Sequence, residues 1–264
     1  MSTNITTAFV QQYSANIQML SQQMGSLLRD KVRQESVVGK QAFFDQVGSV
    51  TAQLKTSRHS DTPQIDTPHS RRRVSLADYE FADLIDQQDK VRLLIDPTSS
   101  YAQAAAMAMG RAMDDVIIAA ATGTASTGET GSGSESAQTA IAASVDPSIP
   151  RHIVVSPEQI NNLLNVTEVT SSDFNTVKAL VQGEIDTFLG FKFTVSNRLA
   201  KSGNDRTCIA FAQDGITLAI GKDVNARIDE RADKSYATQV YYCMSIGATR
   251  MEQAKVLGIT CTEA

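Results

Sequence analysis

The sequence predicts an α+β chain. Helical periodicity dominates its first half, alternating strand patterns dominate its second, and no regular strand-helix-strand repeat joins them. With 264 residues, 42% hydrophobic and 20% charged, the chain can bury a real core in one large or two modest domains.

Phe9, Tyr13, Ile17, Leu20, Met24 and Leu27 recur every three or four residues, which predicts an amphipathic helix capped at Thr6 or Thr7. Its other faces are Gln, Ser and Asn, so the stripe is expected to dock on its own domain or on another subunit. From 47 to 73 the pattern turns polar, and Pro63 and Pro68 forbid a long helix. A loop of that length is usually functional or reaches out to a partner. Between Lys55 and Arg73 five basic residues (Lys55, Arg58, Arg71, Arg72, Arg73) face Asp61 and Asp66, a net +3 that leaves -8 elsewhere in a chain of net charge -5. Such a segment on an acidic body suits contact between copies. The total charge excludes general attraction to nucleic acid or anionic lipid as the main activity.

Asp96-Pro97 starts the strongest helix, running to Thr122 and rich in Ala and Met, with Gly123 ending it. Asp114 and Asp115 point about 100° apart there and make no cooperating carboxylate pair; they are expected to satisfy Arg111 or an adjoining subunit. Residues 123–140 hold four Gly, four Ser and four Thr, the composition of a flexible insertion. Beyond it, 151–155 reads as a strand, Ser156-Pro157-Glu158 as a helix start and 174–181 as helix. Strand patterns follow at 190–195, 207–211, 216–220, 235–251 and 255–261.

Catalytic and metal motifs are missing. Gly215 to Asp223 has one residue too many for a phosphate loop and an Asp where the metal-holding hydroxyl belongs. His59, His69 and His152 have no ligand spacing, and Cys208, Cys243 and Cys261 form no metal pair or disulfide framework, so they read as buried thiols. No cofactor is expected. No apolar run approaches the ~18 residues of a membrane span, and no signal peptide is evident, which suggests cytoplasmic synthesis.

Several stretches carry a resemblance in their order and spacing. They are Arg72-Arg73-Val-Ser-Leu-Ala-Asp78, Leu84-Ile-Asp86, Leu94-Ile-Asp96-Pro97 and Gly110-Arg111-Ala112-Met-Asp114-Asp115, then His152-Ile-Val-Val-Ser156-Pro, Leu189 to Asn197, Asp229 to Ser235, and Gly247-Ala-Thr-Arg250 through Lys255. Together they resemble the major capsid proteins of tailed bacteriophages, in particular the short-tailed variety. The resemblance implies a Hong Kong 97-type capsid fold. The N-terminal arm helix would occupy 1–40 and the extended β-hairpin loop 41–80. The peripheral domain would occupy 81–145, with a spine helix at 97–122, followed by an axial domain at 146–224 and strands returning to the peripheral domain at 225–264.

The implied function is self-assembly into hexamers and pentamers of an icosahedral shell that encloses double-stranded DNA with weak contact and no catalysis. Implied partners are other copies, a separate scaffolding protein and a portal protein, with no membrane; the implied location is the virion capsid, assembled in the host cytoplasm. Lys55 sits where some members crosslink, but no matching residue set is present and no crosslink is expected. An encapsulin-like nanocompartment shell is the alternative within the fold. A hydrolase with the Gly/Ser segment as lid, using Ser156 and His152, is the alternative of another class.

Overall fold

A computed structural model describes residues 22–58, 61–62, 64–86, 98–137, 148–164, 187–188 and 190–263. Contacts divide the chain into two compact units. One comprises Met1–Ser26, Asp78–Ala112 and Lys222–Ser245; the other comprises Leu27–Ala77, Met113–Gly221 and Ile246–Ala264. These units do not follow the expected domain ranges, since the chain passes between them inside its long helix and inside two long strands.

Most of the predicted arm stripe, Phe9 to Leu20, and the helix expected at 174–181 lie outside the described residues. The described part of the arm is not helical. Gly25 adopts φ +72°, a left-handed conformation, and a 3-10 turn at Arg29–Lys31 leads into strand β1 (Arg33–Ser36). Strand β1 pairs in parallel with the start of β12 (Ile216–Arg231), Arg33 opposite Thr217 and Ser36 opposite Ile220.

Strands β2 (Gln41–Val47) and β3 (His69–Ser75) form an antiparallel hairpin from Gln41–Ser75 to Val47–His69, with 48–68 as its connection. Alternation sets its inner face: Ala42, Phe44 and Leu76 pack against buried Val37, Val74 and Ala219. The Gly/Ser-rich segment is not the flexible insertion its composition suggests. Strands β5 (Ala125–Thr127) and β6 (Gly133–Glu135) make a second hairpin, which joins β3 to give the order β2-β3-β5-β6. Its glycines serve the turn: Gly128 and Gly131 have φ of +87° and +71°, and a Cβ on Gly131 would lie 2.7 Å from the Arg73 side chain.

Helix α1 (Thr98–Thr122) matches the predicted spine; its 25 residues span about 37 Å. Ala105, Met109, Met113, Ile117 and Ala121 form its buried stripe at a spacing of four. At Gly110 the chain crosses so closely that a Cβ would lie 2.6 Å from Gly25 Cα and 2.7 Å from Ser26 N. Strand β4 (Ala77–Ile85) closes the sheet β1-β12-β13-β4, where β13 is Ala237–Arg250.

The third sheet is built on β7 (Arg151–Val155). It lies parallel to β9 (Phe191–Val195) and antiparallel to β11 (Asp205–Ala212), which is flanked by β10 (Lys201–Ser202); β8 (Thr187–Phe188) extends β9. Strand β14 (Val256–Thr262) pairs with β11 along Asp205–Thr262 to Phe211–Val256. It therefore joins the sheet that holds β7 and β9. Helix α2 (Pro157–Leu164) begins as predicted, with a capping box. Ser156 Oγ accepts from Gln159 N at 3.3 Å, and Gln159 Oε1 accepts from Ser156 N at 3.0 Å.

Candidate assembly surface

Among the described residues, the end of β2 and the connection to β3 expose four large apolar side chains. Val47, Val50, Leu54 and Ile65 are 65%, 51%, 88% and 41% exposed, around a segment whose described residues from 48 to 68 are all exposed. A chain segment that buries none of its own apolar groups contributes little to its own fold and is available to cover another surface. Lys55 and Arg58 stand on this connection, with Asp61 and Asp66. Its own formal charge is therefore balanced, because the three arginines of the predicted basic loop lie on β3 instead.

Each of those arginines meets its own chain. Arg71 forms a bidentate ion pair with Asp45 across the hairpin, with Nε 2.5 Å from Oδ1, and its guanidinium lies 5.6 Å from the Phe43 ring centroid. The hydrogen bond from Arg71 holds the Asp45 carboxyl below its usual range. Arg72 is buried; its Nε donates to Met251 O at 2.7 Å and its guanidinium pairs with Glu135. Arg73 packs against Gly131.

Arg250, 1% exposed, completes this polar hub by donating to Ala121 O at 2.9 Å and to Glu135 O at 2.7 Å. The first of these bonds satisfies a carbonyl in the last turn of α1. Burial lowers the Arg250 pKa, partly offset by Glu135. A cleft of about 710 Å³ opens beside the hub, lined by Arg33, Asp45, Arg72, Asp214 and Lys255 among others.

The acids of α1 are also committed within the chain. Asp114, fully buried, accepts from Leu27 N and Leu28 N at 3.1 Å each, so it holds the incoming chain instead of facing an adjoining subunit. Asp115 pairs with Arg198, and Arg111 donates to Gln22 Oε1 at 2.8 Å. Met24, 77% exposed, and Leu27, 37% exposed, remain at the surface.

A second anchor has no counterpart in the sequence reading. Glu263, 1% exposed, accepts from Arg206 Nε at 2.6 Å, Lys201 Nζ at 2.8 Å and Ser156 Oγ at 2.6 Å, which together lower its pKa to about 2. The Ser156 hydroxyl is thus bonded to Glu263 and to the α2 N-terminus, not to His152, and the Gly/Ser segment is a sheet hairpin; the serine-histidine arrangement with a lid is not formed. Cys208 is buried and donates to Gln159 Oε1 at 2.5 Å; burial, reinforced by Cys261, raises its pKa to about 12. Cys243 and Cys261 are only partly buried, short of the expected burial. Among the described residues no cluster of three or more His, Cys, Asp or Glu is placed to hold a metal ion, and no helix is long and apolar enough to cross a membrane.

Comparison with known proteins gives this arrangement its context. No curated protein matches the chain. Solved structures do: the capsid of cyanophage P-SCSP1u superposes with a TM-score of 0.74 at 14% identity, covering 100% of this chain and 96% of that one. Mycobacterium phage Che8 gives 0.67 at 16% identity over 95% and 96% of the two chains. The capsid of Helicobacter pylori bacteriophage KHP30 gives 0.72 at 10% identity over 99% and 98%. At these identities the likeness establishes the fold, which is of the expected Hong Kong 97 type. The phage capsid protein family itself matches residues 5–146 and 141–263, nearly the whole length, and so the chain belongs to the phage capsid protein family.

Proposed function

We propose that the chain is the repeating subunit of an icosahedral shell, assembled as hexamers and pentamers around double-stranded DNA, with the β2-β3 hairpin and its 48–68 connection lying on a neighbouring copy. The observation that carries this reading is the run of exposed residues around Val50, Leu54 and Ile65, on a hairpin held by Arg72, which donates to Met251 O and pairs with Glu135. A rigid base with an uncovered tip suits a contact made once per subunit and repeated around a closed ring.

In this reading 1–40 acts as an arm toward other copies. A separate scaffolding protein and a portal protein take part, assembly takes place in the host cytoplasm, and the chain catalyses nothing. The family match favours a phage shell over a nanocompartment. The test is to express the chain with its scaffolding protein and image the product, beside a variant with 52–64 replaced by a short turn. The expected result is shells for the parent and folded, unassembled subunits for the variant. Normal shells from the shortened variant would refute the hairpin contact. Monodisperse monomers from the parent at high concentration would refute the shell reading.

A further inference from the structure

His152 sits on the central strand of the third sheet, 6% exposed, with its ring centroid 5.8 Å from that of Phe211 on β11. Its Nδ1 has no hydrogen-bond partner among the described residues. Register places Lys192 of β9 directly opposite His152 on one side, and Phe211 opposite it on the other. A second ammonium, that of Lys31, reaches this face from the 3-10 turn and donates to Thr194 Oγ1 at 2.5 Å, one sheet position beyond Lys192 on the same face. The charged groups acting on the imidazole are thus Lys192 and Lys31. The carboxylates of Asp114 on α1 and Asp30 bear on Lys31 itself.

A neutral imidazole fits this setting as a small aromatic packed beside Phe211. An imidazolium does not: its Nδ1–H would need an acceptor, which no described residue supplies, and its charge would be added in a buried position on which Lys31 and Lys192 already act. We propose that His152 is a proton-operated latch, holding β9, β7 and β11 together when neutral and loosening them when the medium turns acidic. The inference stands on the subunit alone and does not rest on how subunits assemble.

Burial, then Lys31 and Lys192, hold the His152 pKa below its ordinary 6.5. The unfolded chain therefore binds this proton first as pH falls. The latch contributes fully above pH 6.5, and its contribution is lost as pH drops from there through the lower folded-state value. Each unit of separation between the two values multiplies the unfolding equilibrium constant about tenfold.

The test uses the full-length chain, which contains only three histidines. Histidine NMR titration and thermal unfolding are followed from about pH 8 to about pH 5, the range in which histidine titrates. They are run on the parent, His152→Asn, Lys192→Gln and, as an exposed control, His69→Asn. The expected results are a His152 midpoint below 6.5, its upward movement in Lys192→Gln, and a shallower fall of Tm with acid in His152→Asn but not in His69→Asn. If His152→Asn fails to fold, the titrations of the parent and of Lys192→Gln decide alone. A His152 midpoint at or above 6.5, or one that Lys192→Gln leaves in place, overturns the proposal. So does an unchanged acid slope in a folded His152→Asn.

Discussion

Removing the carboxylate of Asp114 is expected to weaken the subunit itself. In Asp114→Ala the two 3.1 Å bonds to Leu27 N and Leu28 N are lost, and both donors keep their buried or half-buried positions without an acceptor. A stranded buried donor costs about 1–3 kcal/mol, so the pair amounts to roughly 2–5 kcal/mol, with the half-buried Leu27 N–H toward the low end. That is a large part of the ~5–15 kcal/mol that holds a typical domain together. Asp114→Asn keeps one carbonyl oxygen as acceptor and turns an amide toward the other donor, so about half the loss is expected. Urea unfolding of the unassembled chain reads both values as a lower midpoint at constant slope. If the Ala variant unfolds within ~0.5 kcal/mol of the parent, as ordinary surface substitutions do, the anchoring role is refuted. If subunit stability is unchanged but assembly is lost, Asp114 acts between copies after all.

Three further outcomes separate internal anchors from surface charges. Arg72→Met removes the buried partner of an ion pair with half-buried Glu135, together with the bond to Met251 O, and should lower the urea midpoint clearly, whereas Arg71→Ala breaks an exposed pair and should leave it nearly unchanged; equal losses in chemical denaturation would contradict the two settings. Gly110→Ala gains about 1 kcal/mol of helix propensity but drives a Cβ to 2.6 Å from Gly25 Cα, so net destabilisation and faster proteolytic cleavage near Gly25 are expected, and a stabilised variant would refute the close crossing. Glu263 has its pKa lowered from 4.5 to about 2, so its contribution is complete above pH 4.5 and disappears as pH falls through about 2. Glu263→Gln should therefore flatten acid unfolding across that window, and a parent-like profile would show that the carboxylate is not held by Arg206 and Lys201.

The spine helix, the Ser156 cap and most strands were legible because each follows from local rules: Ala-rich periodicity, a Ser-Pro-Glu start, alternation. The charge of 55–73 was summed along the chain, and its distribution in space was not legible that way. In space Arg71, Arg72 and Arg73 belong to a strand whose opposite carboxylates, Asp45 and Glu135, lie 26 and 63 positions away. The 125–135 hairpin was read as linker because Gly and Ser signal flexibility on their own, while its order comes from pairing with β3. Strand β12 runs well past the predicted Ile220, since Lys222 to Arg231 carry exposed charges that hide a strand from a hydrophobicity pattern. The arm stripe extended through Leu27 by spacing, yet Gly25 interrupts it and Asp114 claims the two N–H groups beyond.

The anchors of this fold are distant in sequence. Arg72 meets Met251 across 179 positions, Arg250 meets Ala121 across 129, and Glu263 meets Ser156 across 107. Chains that must close such long loops before any contact rewards them fold slowly. During that interval the β-rich cores lie open, and pairing with another unfinished chain competes with pairing at home. The yield of usable subunits in a cell making many copies at once is therefore decided by a race between folding and aggregation, which favours modest synthesis rates or the help of chaperones.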